Sequence, residues 1–335
     1  DGNINKWQGE GGIGLISSRF SLQGPVVKDK ASLILSARRT YIDVLTKPFV
    51  PKSSGFYGSG YYFYDLNAKL NYIISDKDRL FISGYFGRDV FAFRNAKRSF
   101  KADIPWGNAT ATLRWNHVYG RKLFSNTTLV YNKYNFSFGA AQQDFNIKLA
   151  SGIKDYNAKA DFDYYPAPQH KVKFGAVYTH HIFTPNILSG NQGDTRFDPN
   201  TETRKFANEW AAYLQDEWDL TEKLGLNAGL RFSRFEQVGP YTLYSRDDNG
   251  NKTDSVTYGR GQKVKGYGGI EPRLTVRYAV NDESSIKASV TRNLQYIHLV
   301  SNAGSTLPTD LWVPRTYRVQ PQKAWQYAAG YFRNF

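Results

Sequence analysis

The chain has 335 residues, no cysteine and a formal charge of +15. Without cysteine it can form neither disulfides nor thiolate metal sites. With a mean hydropathy of −0.55 and no apolar run of about 18 residues, it carries no transmembrane helix. A barrel strand escapes that test, because only its alternate residues meet lipid. Aromatic residues make up 16% of the chain, including 24 Tyr and 22 Phe, as interface girdles require. The basic charge suggests a polyanion, yet Lys and Arg are dispersed, often beside acids as in Lys77-Asp78-Arg79. That spread fits anionic outer-membrane glycolipid better than the clustered face of a nucleic-acid binder. The chain opens Asp1-Gly2-Asn3, without methionine or a basic and apolar leader, and is read as an internal piece of a processed precursor.

Taken in order, the first strand pair sets Ile16, Phe20 and Leu22 against Ser17, Arg19, Ser21 and Gln23. Pro25 to Lys30 turns the chain, and Leu33, Leu35 and Ala37 then oppose Ser32, Ser36 and Arg38. After a loop over residues 46–60 comes the most regular hairpin. Tyr62, Tyr64, Leu66, Ala68, Leu70 and Tyr72 alternate with Asp65, Asn67, Lys69 and Asn71. A period of two sends successive side chains to opposite faces of a strand. Ser75 to Asp78 turns the chain, and Leu80, Ile82, Gly84 and Phe86 resume the apolar face. Ten such residues, tilted, span about 25 Å, the height of the lipid-facing band of an outer-membrane barrel.

A loop is expected over residues 91–107, then Ala109, Ala111, Leu113 and Trp115 alternating with Thr110, Thr112, Arg114 and Asn116. Past the turn at Gly120 to Lys122, residues 123–138 switch face midway, which suggests a bulge. Tyr156, Ala158, Ala160, Phe162 and Tyr164 then alternate with Asp155, Asn157, Lys159, Asp161 and Asp163. Pro166-Ala167-Pro168 ends that strand, and Val172, Phe174, Ala176 and Tyr178 return. A loop over residues 184–205 leads to Trp210, Ala212, Leu214 and Trp218, with Glu209, Tyr213, Gln215 and Glu217 between them. Leu224 to Phe232 follows, then the longest loop, residues 237–266, with a hairpin turn at Asp248-Asn249-Gly250. Ile270 to Tyr278 and Ile286 to Val290 pair around Asn281 to Ser284, and a loop over residues 294–320 precedes a last strand near Trp325 to Phe335.

Two regularities set the class. Six short turns alternate with long polar loops or strand extensions, as periplasmic turns and extracellular loops do. An aromatic on the apolar face, Tyr72, Tyr119, Tyr164, Trp218 or Tyr278, also marks the approach to most of those turns. The chain is therefore expected to be all-β, a transmembrane antiparallel up-and-down barrel. About 13 strands emerge, an odd count where single-chain barrels have an even one, so the barrel is expected to be incomplete. Tyr62, Leu66, Leu70, Leu113, Ala160, Leu230 and Val276 should face lipid, and Asp65, Lys69, Arg114, Lys159, Asp161, Arg231 and Arg273 should line the lumen.

Other motifs carry less. Gly9-Glu10-Gly11-Gly12-Ile13-Gly14 has dinucleotide-fold spacing but neither follows a strand nor opens a helix, and reads as a flexible lead-in to a strand. His180 and His181, as strand neighbours, point to opposite faces and cannot chelate together. Asp247 to Asn251 reads as a loop-tip turn rather than a calcium loop, with Lys252 where an EF-hand glycine would fall. No catalytic motif, metal site or cofactor is assigned.

The chain resembles TonB-dependent outer-membrane receptors. The resemblance rests on Gly14 to Arg19 with Gly24-Pro25-Val26, Ala37-Arg38-Arg39-Thr40-Tyr41 and Tyr61 to Lys69. Further on it rests on Ala212 to Trp218, Gly229-Leu230-Arg231-Phe232, Gly269-Ile270-Glu271-Pro272-Arg273 and Pro308 to Trp312. In such receptors a barrel of about 22 strands surrounds a plug, and an energy-coupling protein pulls on a box before that plug. The resemblance implies that residues 1–335 are a barrel fragment without plug, in the outer membrane, with TonB, lipopolysaccharide and a surface lipoprotein as candidate partners. Substrate uptake, of a siderophore, glycan or peptide, is the expected function. A passive porin, a barrel protease or lipase, and a soluble nucleic-acid binder are the alternatives. Since barrel walls serve every specificity, ligand recognition is expected in loops, and residues 294–320 offer His298, Asp310, Trp312 and Arg315, including types that dominate binding hot spots.

Overall fold

A computed structural model of the chain describes residues 2–193, 195–197, 204–300, 311–314 and 320–334. Nearly all of the regular structure is antiparallel strand. β1 (Gln8–Ile13), β2 (Ser17–Val27) and β3 (Ala31–Thr40) lead through a short helix, Ile42–Thr46, to β4 (Gly60–Ile73) and β5 (Asp78–Asn95). β6 (Phe100–Val118), β7 (Leu123–Gln142), β8 (Phe145–Tyr164) and β9 (His170–Gln192) follow, and β10 (Thr195–Phe197) pairs back on β9. Then come β11 (Lys205–Asp219), β12 (Leu224–Val238), a separate hairpin β13 (Tyr241–Arg246) and β14 (Lys252–Tyr258), β15 (Lys263–Ala279) and β16 (Ser284–Gln295). A second small hairpin, β17 (Ile297–Val300) with β18 (Leu311–Pro314), precedes β19 (Gln322–Arg333). The main sheet is a meander in the order β1-β2-β3-β4-β5-β6-β7-β8-β9-β11-β12-β15-β16-β19, and it is not closed into a ring.

All thirteen sequence-predicted strands are present in the main sheet; β1 is added at its edge, and β10, β13, β14, β17 and β18 arise within segments expected to be loops. The glycine-rich stretch read as a flexible lead-in is itself an edge strand, pairing Gln8 through Ile13 with Gln23 through Ser18. Glycines have no side chains to alternate, so the period-two signal was silent there. The expected loop over residues 91–107 is largely strand, since β5 and β6 pair out to Asn95 and Phe100. Likewise β9 runs eight residues past Thr184 before its loop. The expected bulge in β7 is absent, because β7 pairs both neighbours without a shift, and a shift lies instead between β8 and β9 at Ala150 and Gly152.

The apparent face switch in β7 has another cause. In the half of the sheet near the six short turns, one face carries Leu66, Leu129, Leu214 and Leu230, all exposed, and the other carries the charges. Beyond Tyr131, Tyr156, Tyr178 and Trp210 this alternation inverts. The exposed face turns polar at Lys133, Lys154 and Asn208, while Ile153, Phe183, Ala207 and Phe235 become buried on the formerly charged side. Phe183, Ala207 and Phe235 are wholly excluded from solvent. Tyr296 joins them because β16 leaves β15 after Arg273 and Thr291 and turns its end inward. From there β17–β18 crosses the inner face to lie against β8 and β9, about 19 Å away at ordinary strand spacing.

Candidate functional site

The charged face is built by register. Antiparallel pairing places Arg38 beside Asp65, Arg114 beside Phe81, and Tyr213 beside Arg231. Seven residues expected on the inner side, Asp65, Lys69, Arg114, Lys159, Asp161, Arg231 and Arg273, do share this one face. Arg38 holds Asp65 at 2.8 Å, Lys159 holds Asp161 at 2.8 Å, and Lys173 reaches Asp163 at 3.6 Å. The Arg114 guanidinium sits 4.4 Å from the Phe81 ring centroid, and the Lys69 ammonium lies 5.6 Å from the same ring. Each such contact is worth about 0.5–1 kcal/mol at an exposed site. The result is a solvated wall on which positive and negative side chains are interleaved.

One contact crosses an intervening strand. The Tyr213 hydroxyl of β11 donates to the Asp161 carboxylate of β8, passing over Gly175 of β9. A Cβ at Gly175 would come 2.5 Å from the Ala160 carbonyl oxygen and 3.0 Å from the Tyr213 ring and hydroxyl, so glycine lets both the neighbouring backbone and this bridge close over the position. Tyr213 was legible as an inward position, but its partner two strands away was not.

Toward the loop end the inner face holds a buried polar group. Ser233 donates to Glu271 at 2.6 Å and lies 2.8 Å from the Tyr296 hydroxyl. The same Glu271 carboxylate accepts the Leu294 backbone N–H at 3.1 Å and faces Arg231 at 3.6 Å. It thus replaces the strand partner that Leu294 loses where β16 leaves β15. Tyr296 stacks on Phe235 with ring centroids 5.4 Å apart. Next to this, His181 places Nδ1 2.7 Å from Asp155 and Nε2 3.6 Å from Glu209. Sequence reading separated His181 from His180 correctly, and His180 does bond Asn208 on the opposite face. Two further histidines are paired as well, His117 with Asp78 at 2.6 Å and His170 with Asp216 at 2.7 Å. Those pairs span adjacent strands, a proximity that linear spacing does not show.

Of the four loop residues expected to bind ligand, His298 lies in β17 opposite Val313, and Trp312 lies in β18 opposite Leu299. The hairpin therefore sets their backbones one register step apart. Asp310 and Arg315 lie outside the described residues. The turn at Asp248-Asn249-Gly250 does close the β13–β14 hairpin. Its Asp247 carboxylate accepts the Asn251 side-chain amide at 3.1 Å and the backbone N–H groups of Asn251 and Asn249 at 2.8 and 3.0 Å. These bonds, that of the Asn251 side chain first, hold the Asp247 carboxyl below its usual value of 3.8. Among the described residues no group of three or more His, Asp or Glu side chains is placed to hold a metal ion.

Residues 35–331 match the family model described as TonB dependent receptor-like, beta-barrel. The chain belongs to the TonB-dependent receptor β-barrel family. Its fold is that of the solved outer-membrane receptors. The copper transporter OprC superposes with a TM-score of 0.67 at 10% identity, over 99% of this chain and 54% of that one. FyuA, the ferric yersiniabactin uptake receptor of Yersinia pestis, gives 0.67 at 12% identity over 100% and 53%. BauA, the ferric preacinetobactin receptor of Acinetobacter baumannii, gives 0.60 at 10% identity over 97% and 51%. The chain thus spans about half the length of the receptor structures it matches. Among curated proteins no relative is found by sequence. As a TonB-dependent receptor barrel, this is an outer-membrane β-barrel protein whose family members are transport receptors.

Proposed function

We propose that residues 1–335 form a single barrel-wall domain of an outer-membrane receptor that imports its substrate at the expense of TonB-transmitted energy. The family match over residues 35–331 carries this reading. The interleaved charges of the inner face support it. A wall bearing Asp65, Lys69, Arg114, Lys159, Asp161, Arg231 and Arg273 suits a wide, hydrated lumen, since such groups are costly to bury dry. Structural relatives named for copper and ferric siderophores make a metal or its chelate the first substrate class to test, with glycans and peptides after it. The wall itself does no chemistry; TonB acts through a plug beyond this domain, and a surface lipoprotein is a further candidate partner. Ligand contact is assigned to the loop end, to His298, Asp310, Trp312 and Arg315.

The test is uptake by cells expressing the intact receptor, with and without TonB, from a panel of labelled siderophore, copper, glycan and peptide substrates. Receptor-dependent uptake of one class that vanishes without TonB is expected. Uptake that persists without TonB would establish a passive porin instead. In the same cells Trp312→Ala and Arg315→Ala should weaken binding of that substrate; unchanged affinity in both, with normal assembly, would move the ligand site elsewhere.

A further inference from the structure

On the inner face of the main sheet, carboxylates come with cations. Asp65, Asp155, Asp161, Asp163, Glu209 and Glu271 each have a basic side chain within 3.6 Å. Asp89, toward the loop end of β5, has none within ion-pair distance among the described residues. It belongs to the same face, because it stands opposite Phe63, two residues before Asp65 on β4. Its half-buried carboxylate accepts a hydrogen bond from the Tyr61 hydroxyl at 2.6 Å. Antiparallel register sets Phe63 on one side of Asp89 and Trp106 of β6 on the other, with Cβ atoms about 5 Å away. Tyr61 leans across β5 to stack on Trp106, with ring centroids 6.2 Å apart and planes at 23°, and lies 6.4 Å from Phe63. Along β5 itself, Tyr85 folds over Gly87 toward Asp89. One carboxylate is thus flanked by three aromatic rings, with a fourth leaning toward it.

Neighbouring clusters show what such a group accepts. The Arg38 guanidinium lies 4.8 Å from the Phe63 ring centroid while it pairs with Asp65, and Arg114 and Lys69 both approach Phe81. In those clusters the wall supplies both the ring and the cation. Around Asp89 it supplies the carboxylate and the rings. A positive charge is drawn to the faces of such rings by their quadrupole, most strongly to Trp, and the carboxylate adds a direct Coulomb attraction. A hard metal ion fits poorly, since it demands six or more oxygen ligands and the rings offer none. An organic cation fits well, because it is bulky and gives up its water more readily than a compact ion does.

We propose that Asp89, Phe63 and Trp106 bind an ammonium or guanidinium group of the imported substrate at the loop end of the lumen. Asp89 supplies the charge, the two rings supply the faces, and the Tyr61 hydroxyl positions the carboxylate between them. The proposal rests on the reading of this chain as the wall of an importing receptor. It narrows the substrate of that receptor to molecules carrying an organic cationic group.

Its test titrates the intact receptor that carries this chain, purified in detergent, with choline and with dimethylbutanol, the uncharged tert-butyl isostere of choline. This binding needs no TonB, so its failure is distinct from a loss of TonB-dependent uptake. Calorimetry should show saturable choline binding about tenfold tighter than that of the alcohol, the difference being the charge felt by Asp89 and the rings. Asp89→Asn keeps an acceptor for Tyr61, and Trp106→Phe keeps a ring. Each should weaken choline roughly fivefold, whereas Asp76→Asn at the turn between β4 and β5 should leave it unchanged. Equal binding of choline and the alcohol, or a choline affinity unmoved in Asp89→Asn or in Trp106→Phe, would overturn the proposal. So would the absence of saturable choline binding, the result expected if a basic side chain of the plug already sits on Asp89.

Discussion

The two halves of the inner face are made of the same strands and obey opposite rules. Near the short turns it is a solvated lattice of ion pairs, Arg38 with Asp65 and Lys159 with Asp161. Near the loops it is a packed core of Ile153, Phe183, Ala207, Phe235 and Tyr296. The exposed face changes in the opposite sense, from Leu129 and Tyr131 to Lys133 and Asn135 within one strand. A sheet whose exposed side meets lipid can leave its inner side wet. Once that exposed side meets water, burial is available only on the inner side, and the apolar residues move there.

That contrast can be broken most severely at Phe235. Replacing this fully buried ring by alanine should cost about 3–5 kcal/mol, read as a lower unfolding midpoint of the intact receptor in detergent. The next effect tests the other half. Leu70→Arg, on the exposed face of β4, should cost about 2–4 kcal/mol in a bilayer, while Asn67→Arg on the inner face of the same strand should cost far less. Refolding into vesicles measures both, and equal penalties would deny that the two faces of β4 differ. Ser233→Ala should cost about 1–3 kcal/mol, since it leaves the Tyr296 hydroxyl and one Glu271 oxygen short of a buried partner. It should also loosen the inward turn of β16, raising hydrogen exchange at Leu294. The smallest effect is expected at the tip of the β13–β14 hairpin. Because the folded Asp247 carboxyl titrates below its ordinary value of 3.8, its contribution is present above that pH and disappears as pH falls through the folded pKa. Proteolysis at the tip should increase only in that acid range, and Asp247→Asn should remove the dependence.

How far the sequence spoke follows the same division. In β4 and β8 the alternation is unbroken, because one environment covers each face for the length of the lipid band; Leu66, Leu70, Asp65 and Asp161 were all assigned to their faces. Beyond Tyr131 the environment exchanges sides, and Phe136 on the inner face imitates a slipped register. An unchanged register with reversed polarity and a bulge with unchanged polarity look alike in one strand, and only the neighbours tell them apart. Tyr296 carried no signal at all, since its burial depends on β16 leaving a strand that single-chain periodicity does not contain. The Tyr213–Asp161 bridge was hidden for a similar reason, with Gly175 marking the spot only after the three strands are set side by side.

The central claim is that both faces change character at the level of Tyr131 and Tyr156. These 335 residues contain no cysteine, so within them single cysteines can be introduced one at a time at Leu129, Lys133 and Asn135 on the exposed side of β7 and at Asn132 on its inner side. Spin labels at these positions, in the intact receptor in bilayers, report access to oxygen, which concentrates in lipid, and to a water-soluble nickel chelate. The label at position 129 should favour oxygen, and those at 133 and 135 should favour the nickel chelate, as should that at 132. Oxygen preference continuing unchanged from 129 to 135 would contradict the account.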